Sequence, residues 1–441
     1  MDPQQTLDID VGSQLTPEVL ATWDETATST AVELLNSYVP VFLIAYFAAL
    51  IFTPIARQVA LRNNIVDAPD SSRKIHKEPV AYLGGAAVVL AVLVAIGASY
   101  AMFSELLVDY PPVPIAIVIG IIAIAFTGLA DDVWGWDPRL KIAGQLVAAA
   151  ALAIEAVGTN VAQGLLAAVF GSDGLVFDLP ITGYTFDVSY WTGTALIAIF
   201  VLGGCNASNL IDGLDGLLSG LTGIVMLGLL TISIFMAVQH DITNGGDILA
   251  QENSLAGARV VLCLATLGAV LGFLPFNFQP AVIFLGDAGS LLLGYLCVVV
   301  ILMFGEYGET HLVVAGLIVF AVPIIDTSLA IIRRKLAGLP MSAADDQHIH
   351  HQLKRGLGGV RRAVFALYAI GFTFACLGVI VSWIVMFTEI RLMFVYAIVF
   401  VLFSFIAAVA VKVARRQPVL VEEEDSSPSD VATKYTSGIR K

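Results

Sequence analysis

Long apolar runs broken by short polar stretches make up most of the chain. Eleven runs, at 38–55, 83–103, 113–130, 142–158, 194–210, 217–238, 256–273, 291–304, 312–332, 364–387 and 392–411, approach the roughly 20 apolar residues that a helix needs to cross a bilayer. The runs at 142–158, 194–210 and 291–304 are short. Between 171 and 191 the pattern changes to alternation around Pro180-Ile181-Thr182-Gly183. Val176 and Asp178 lie before the turn and Tyr184, Phe186, Val188 and Tyr190 after it, which predicts a short β-hairpin. The first 37 residues are acidic and carry no Lys or Arg, so they lack the basic start of a signal peptide. The end of the chain, with Glu422-Glu423-Glu424-Asp425 followed by Ser and Pro, reads as disordered. The expectation is an all-α polytopic membrane protein with about eleven transmembrane helices. It divides into an acidic extracytoplasmic segment (1–37), a transmembrane domain (38–411) and an acidic cytoplasmic tail (412–441).

Composition agrees: 58% of the 441 residues are hydrophobic and 13% charged, where a soluble domain is about one quarter charged. Mean hydropathy is +0.87. A formal charge of −14 leaves no basic face for nucleic acid. The four cysteines, Cys205, Cys263, Cys297 and Cys376, lie singly in apolar runs and read as small core residues. Of the 22 Lys and Arg, all but Arg259 and Arg391 fall on one side of the predicted spans. The positive-inside bias then predicts an external N-terminus, a cytoplasmic C-terminus and an external hairpin.

Five polar clusters fall on the inner side. Asp131 and Asp132 end the third span, where two adjacent carboxylates at a membrane boundary are costly unless they meet a cation or a proton. A solvated helix end would explain that pair on its own. Asn206, Asn209, Asp212 and Asp215 recur every three residues, beside Gly213 and Gly216, with no base among them. Asp287 and Ser290 stand at the entry to the eighth span, where helix capping is the plainer explanation. His348, His350 and His351 precede Lys354 and Arg355. Zinc would require a further ligand, and Cys205 is the only inner cysteine, so phosphate binding fits this segment better. Finally, Arg73, Lys74, His76 and Lys77 follow the first span, where they also serve the topology. Taken together, Asp131, Asp132, Asp212, Asp215 and Asp287 are five carboxylates on one face. Hard oxygen ligands of this kind favour Mg²⁺ or Mn²⁺. Metal and cations beside lipid suit chemistry between phosphates.

Five motifs occur in order: Arg73-Lys74-x-His76, Asp131-Asp132, Asn206-x-x-Asn209-x-x-Asp212-Gly213-x-Asp215-Gly216, Gly286-Asp287-x-x-Ser290 and His348-x-His350-His351. With them the chain resembles the polyprenyl-phosphate N-acetylhexosamine-1-phosphate transferases, the MraY/WecA superfamily, over roughly 38–411, and looks closest to the WecA/TagO-like branch. That resemblance implies transfer of a sugar 1-phosphate, with GlcNAc the default and GalNAc or a modified sugar open. The donor would be a UDP-sugar and the acceptor undecaprenyl phosphate at the inner membrane of a bacterium, with UMP released and a Mg²⁺ cofactor. It implies Asp287 and Asn209 as metal ligands; Asp131, Asp132, Asp212, His348, His350 and His351 as catalytic; and Lys74, Asn206, Asp215 and Arg333 as substrate-binding. Asp326 and Arg333, seven residues apart and on one helix face, also look family-like. Dimers occur among such proteins. Two routes stay open: direct attack of the lipid phosphate on the β-phosphorus, or double displacement through a phospho-aspartate. The alternative class is a multi-pass transporter that uses the inner acids for ion coupling.

Overall fold

The computed structural model describes residues 17–67, 80–105, 113–170, 176–179, 184–244, 255–336, 338 and 348–388, and the single positions Tyr396, Ala397, Ser404 and Ala408. In chain order the elements are α1 (Pro17–Arg62), β1 (Val66–Asp67), β2 (Val80–Ala81), α2 (Gly84–Glu105), α3 (Ile115–Trp134), α4 (Pro138–Ile154), α5 (Asn160–Phe170), β3 (Val176–Leu179) and β4 (Tyr184–Asp187). There follow α6 (Val188–Ile211), α7 (Leu217–Asn244), α8 (Ala256–Asn277), α9 (Gly286–Met303), α10 (Thr310–Val319), α11 (Ala321–Leu336), α12 (Ile349–Leu357) and α13 (Val360–Phe387). Among the described residues eight helices are long and apolar enough to cross a membrane, and α10 with α11, bent by 79°, makes a ninth if the pair is one broken span.

The protein is thus a mostly helical, multi-pass membrane protein, and the expected eleven spans are not all found among the described residues. The apolar run at 142–158 is not among the long apolar helices. Its helix, α4, has 17 residues and opens on Pro138-Arg139-Leu140-Lys141. Turns at 155–159 then separate it from α5. The run at 392–411 lies outside the described residues apart from isolated positions, as do the acidic stretches 1–16 and 412–441. Helix α1 passes without a break through the expected 37/38 boundary. β3 and β4 pair antiparallel with Val176 opposite Asp187. Val188 and Tyr190, expected in the hairpin, are helical instead, because Asp187 accepts the N–H groups of Ser189 (2.9 Å) and Tyr190 (3.2 Å) and so starts α6.

Helix α9 is the centre of the bundle. α2, α3, α6, α7, α8 and α10 pack around it, and every one of its residues except Asp287 is buried. Close approach depends on small residues. A Cβ on Gly128 of α3 would stand 2.4 Å from Ala288 Cα, and one on Gly85 of α2 would stand 2.1 Å from Gly289 N. Both helices therefore meet the first turn of α9 backbone to backbone. At the far end of α9, Arg259 is 2% exposed. It donates to Glu306 Oε2 (2.7 Å) and to the Met303 carbonyl (3.1 Å), while Glu306 Oε1 accepts Leu255 N–H (2.9 Å). Bonds to the Met303 carbonyl and from Leu255 N–H offset part of the cost of burying the pair, while Arg259 Nε has no partner among the described residues.

The α3–α4 hairpin is closed at both ends. Glu155 accepts Ala116 N–H (3.1 Å) at the start of α3. Gly135, with φ 62°, ends α3 by returning its N–H to Asp131 O. Asp137 caps α4 through Arg139 N–H, with Pro138 in the first helical position. This tight turn brings the first turn of α4 back against the last turn of α3.

Gly128→Ala tests the close packing. The added methyl meets backbone that cannot swing aside, so we expect a stability loss of about 1–3 kcal/mol. A thermal melt in detergent should fall by several degrees, with activity falling alongside it. An unchanged melt would remove the packing argument.

Candidate functional site

The site lies where α3, α4, α6 and α9 end or begin. Gly286, with φ +70°, turns the chain into α9 and puts Asp287 in its first turn. Asp132, in the last turn of α3, accepts two backbone N–H groups there, from Asp287 at 2.7 Å and Ala288 at 3.0 Å. Both of its oxygens are thereby engaged, and its charge faces the positive end of α9. Its neighbour Asp131 pairs with Lys141 at 2.6 Å, and the same ammonium reaches Asp287 Oδ2 at 2.5 Å. Lys141 is one turn inside α4, at the place the Gly135–Pro138 turn delivers it. Asn209 Nδ2 donates to Asp287 Oδ1 (2.8 Å) and to Ser290 Oγ (2.9 Å), joining the end of α6 to the start of α9.

Helix α6 stops at Asp212, and Asp215 and Gly216 follow before α7. Asp215 Oδ2 accepts Ala281 N–H at 3.1 Å. A cavity of about 310 Å³ opens here, with Tyr82, Asn209, Asp212, Asp215, Phe284 and Asp287 among its walls. Burial, and then the carboxylates of Asp287, Asp132 and Asp215, push the Asp212 carboxyl up to about 8. A second cavity of about 610 Å³ adjoins it, with Asn63, Asp67, Tyr82, Asp132 and Trp134 among its walls.

The histidine segment reaches the same loop by a different route. Asp326 of α11, wholly buried, accepts from Ile349 N–H (2.8 Å) and shares a hydrogen bond with His348 Nδ1 (2.9 Å), so it fixes the start of α12. The His350 ring stacks on His348, with centroids 5.5 Å apart and planes 11° apart, and lies 4.2 Å from the His351 ring. Its Nε2 packs against Gly213, where a Cβ would stand at 2.3 Å. Burial first, and then the nearby His351, push His350 down to about 3. It is therefore neutral near pH 7, and the expectation that the cluster supplies cations fails at His350. A buried imidazole beside another imidazole cannot afford the charge.

Asp131, Asp132, Asn209, Asp212, Asp215 and Asp287 do come together. Asn206 does not join them. Its amide donates to Gln145 Oε1 (2.8 Å) and Leu202 O (2.7 Å), which ties α6 to α4. Arg333, 4% exposed on α11, is not among the residues lining the cavity. Lys74 lies outside the described residues. Two residues were missed from sequence. Lys141 was absorbed into the topological count of bases, although it is one turn into a helix that begins just beyond Asp131-Asp132. Tyr82 carried no signal beyond its place ahead of Gly84-Gly85.

Among the described residues, no three histidine, cysteine or carboxylate side chains group to hold a metal ion on their own. Mg²⁺ is commonly held by one or two carboxylates together with substrate phosphates. Asp287 and Asn209 line the cavity and carry hard oxygen atoms that could hold it, with Asp287 Oδ1 accepting from Asn209 Nδ2 and its Oδ2 from Lys141.

Comparison with known proteins covers the same elements. The model of glycosyl transferase family 4 matches residues 114–305, from just before α3 to just beyond α9. The chain is 34% identical over 343 residues to the probable undecaprenyl-phosphate N-acetylglucosaminyl 1-phosphate transferase of Bacillus subtilis (strain 168), covering 77% of this chain and 84% of that protein. It is 32% identical over 354 residues to the decaprenyl-phosphate N-acetylglucosaminephosphotransferase of Mycolicibacterium smegmatis, covering 74% and 76%. It is 30% identical over 351 residues to the phospho-N-acetylmuramoyl-pentapeptide-transferase of Bacillus cytotoxicus, covering 77% and 95%. At these identities and coverages, the chain belongs to the polyprenyl-phosphate N-acetylhexosamine-1-phosphate transferases of glycosyl transferase family 4.

Proposed function

We propose that this protein transfers GlcNAc 1-phosphate from UDP-GlcNAc to undecaprenyl phosphate, releasing UMP and starting a cell-envelope glycan. The observation that carries the reading is the cavity walled by Asn209, Asp212, Asp215 and Asp287, with Lys141 clasping two carboxylates beside it. Transfer between phosphates asks chiefly for placement and charge neutralisation. The names of the relatives in Bacillus subtilis and Mycolicibacterium smegmatis support the acceptor and the sugar. The positive-inside bias puts the site on the cytoplasmic face of a bacterial inner membrane, with segment 1–37 and the β3–β4 pair outside and 412–441 inside. A transporter reading lacks support. Asp326, the wholly buried acid it would need, is engaged with His348 and Ile349 N–H.

In this reading Asp287 and Asn209 hold Mg²⁺, or Mn²⁺, together with the donor diphosphate. Bound there, the cation supplies charge neutralisation for the diphosphate and the departing UMP. Asp132 is a positioning residue that fixes the Asp287 turn through two N–H groups. Lys141 offsets the charge of Asp131 and Asp287, and Asp131 faces the acceptor phosphate. Asp215, held by Ala281 N–H, and the Phe284 ring receive the uracil. His350 supports the Asp212–Asp215 loop from behind, with His348 locked to Asp326, while Lys74, His351 and Arg333 serve the phosphates. An oxygen of the lipid phosphate, already anionic, attacks the β-phosphorus. The bond from that phosphorus to the bridging oxygen breaks, and its electron pair leaves with UMP. We favour this single displacement because Asp131 and Asp287 are held by Lys141 and Asp132 by two backbone N–H groups.

The direct test incubates purified protein with undecaprenyl phosphate, Mg²⁺ and a panel of UDP-sugars, scoring UMP and the lipid product. UDP-GlcNAc should give the highest kcat/KM, and a panel without UMP release would end the proposal. Asp287→Asn should lower kcat at least ~100-fold in a protein that still elutes as a single species. Near-normal turnover with Mg²⁺ would remove the metal assignment. Lys141→Gln should lower kcat by a similar ~100-fold through loss of a preorganised charge, and normal turnover would show the ammonium to be a bystander. UDP-sugar labelled in its sugar phosphate and incubated with protein but no lipid should leave no label on the chain; label retained on an aspartate, with UMP released, would favour double displacement.

A further inference from the structure

Among the described residues the two cavities at the site share one wall residue, Tyr82. The smaller, of about 310 Å³, is lined by Asp212, Asp215 and Asp287, and the larger, of about 610 Å³, runs between Asp132 at the end of α3 and the turn after α1. Tyr82 is held in place from both sides. Its N–H donates to Ile65 O (3.2 Å), and the preceding Ala81 pairs with Val66. On the other side Phe284 N–H donates to Ala81 O (2.8 Å), and Gly84 N–H donates to Phe284 O (3.0 Å). The Tyr82 ring meets the Phe284 ring edge to face, with centroids 5.9 Å apart and planes at 81°. Backbone pinned between two neighbours and a ring seated on another ring make a fixed partition rather than a swinging side chain.

We infer that Tyr82 sets the size of the donor: its ring closes the catalytic cavity off from the larger one, so a plain N-acetylhexosamine fits and a bulky substituent on the sugar does not. The inference rests on the functional reading above. It bears on a difference within the family, since relatives named for N-acetylmuramoyl-pentapeptide transfer share 30% identity with this chain. Burial and the carboxylates of Asp67, Asp132, Asp287 and Asp212 push the Tyr82 phenol up to about 12. Removing the ring would join the two cavities, and the larger volume would accept the lactyl-peptide arm.

The experiment compares wild type, Tyr82→Phe and Tyr82→Ala with UDP-GlcNAc and UDP-N-acetylmuramoyl-pentapeptide, using undecaprenyl phosphate and UMP release. The ratio of kcat/KM for the bulky donor to that for UDP-GlcNAc should rise at least tenfold in Tyr82→Ala and stay within threefold of wild type in Tyr82→Phe. An unchanged ratio in an active Tyr82→Ala overturns the inference, and an equal rise in Tyr82→Phe reassigns the effect from the ring to the hydroxyl and overturns it too. If Tyr82→Ala is not monodisperse, Tyr82→Val, which keeps a strand-compatible residue, is read by the same criteria. Calorimetric binding of the two nucleotides separates this inference from the functional reading. Should wild type release no UMP from UDP-GlcNAc, that reading fails. The size inference then stands or falls on whether the ring-deleted protein gains at least tenfold in relative affinity for the bulky nucleotide.

Discussion

Like charges crowded at one end of a buried helix are the constraint on which the site depends. Asp131, Asp132, Asp212, Asp215 and Asp287 gather around the start of α9. Two unit charges 4 Å apart repel by roughly 4 kcal/mol at an effective dielectric of 20. Each carboxylate is relieved in a different way. Asp132 turns to backbone N–H groups at a helix start, Asp131 and Asp287 share one ammonium, and Asp215 holds the N–H of Ala281. Asp212 shows no such partner among the described residues, and burial beside these carboxylates pushes its carboxyl up. The arrangement keeps a surplus of negative charge facing the cavity.

Much of this was legible from the chain. Asn209, Asp212, Asp215 and Asp287 could be picked out because polar residues at helix ends in an apolar sequence are costly without a purpose. Their meeting across 78 residues between Asn209 and Asp287 follows from both lying at the same end of adjacent helices. The existence of most spans followed from hydropathy alone.

The errors have physical causes. Spacing by three suggested that Asn206 belongs with Asp212, but six residues carry the chain about 120° around a helix of 3.6 residues per turn, onto the face that meets α4. Histidines beside Lys354 and Arg355 suggested positive charge, and the sequence could not reveal that His350 is buried against Gly213. Hydropathy carried the fourth run past the end of α4 to 158 because residues 155–158 are mildly apolar, while the helix stops at Ile154 in backbone turns. Lys141 is the instructive omission. A base near a membrane boundary satisfies the topological rule so readily that its second use, between two carboxylates, leaves no further trace in the pattern.

Helix α9 reads in the sequence as a membrane span, yet none of its described surface is left for lipid; its neighbours cover every residue but Asp287. Its apolar character therefore answers to packing, as in the interior of a soluble enzyme, and the bilayer contributes nothing to selecting its side chains. Substitutions along α9 should be judged by shape and volume, so that an exchange harmless on the lipid-facing flank of α3 or α13 would be felt at the opposite end of this rod. The Gly286–Asp287 turn is the tip of an internal beam, and the tolerance of the candidate site to change is set along the 18 residues of α9, by contacts remote from the cavity.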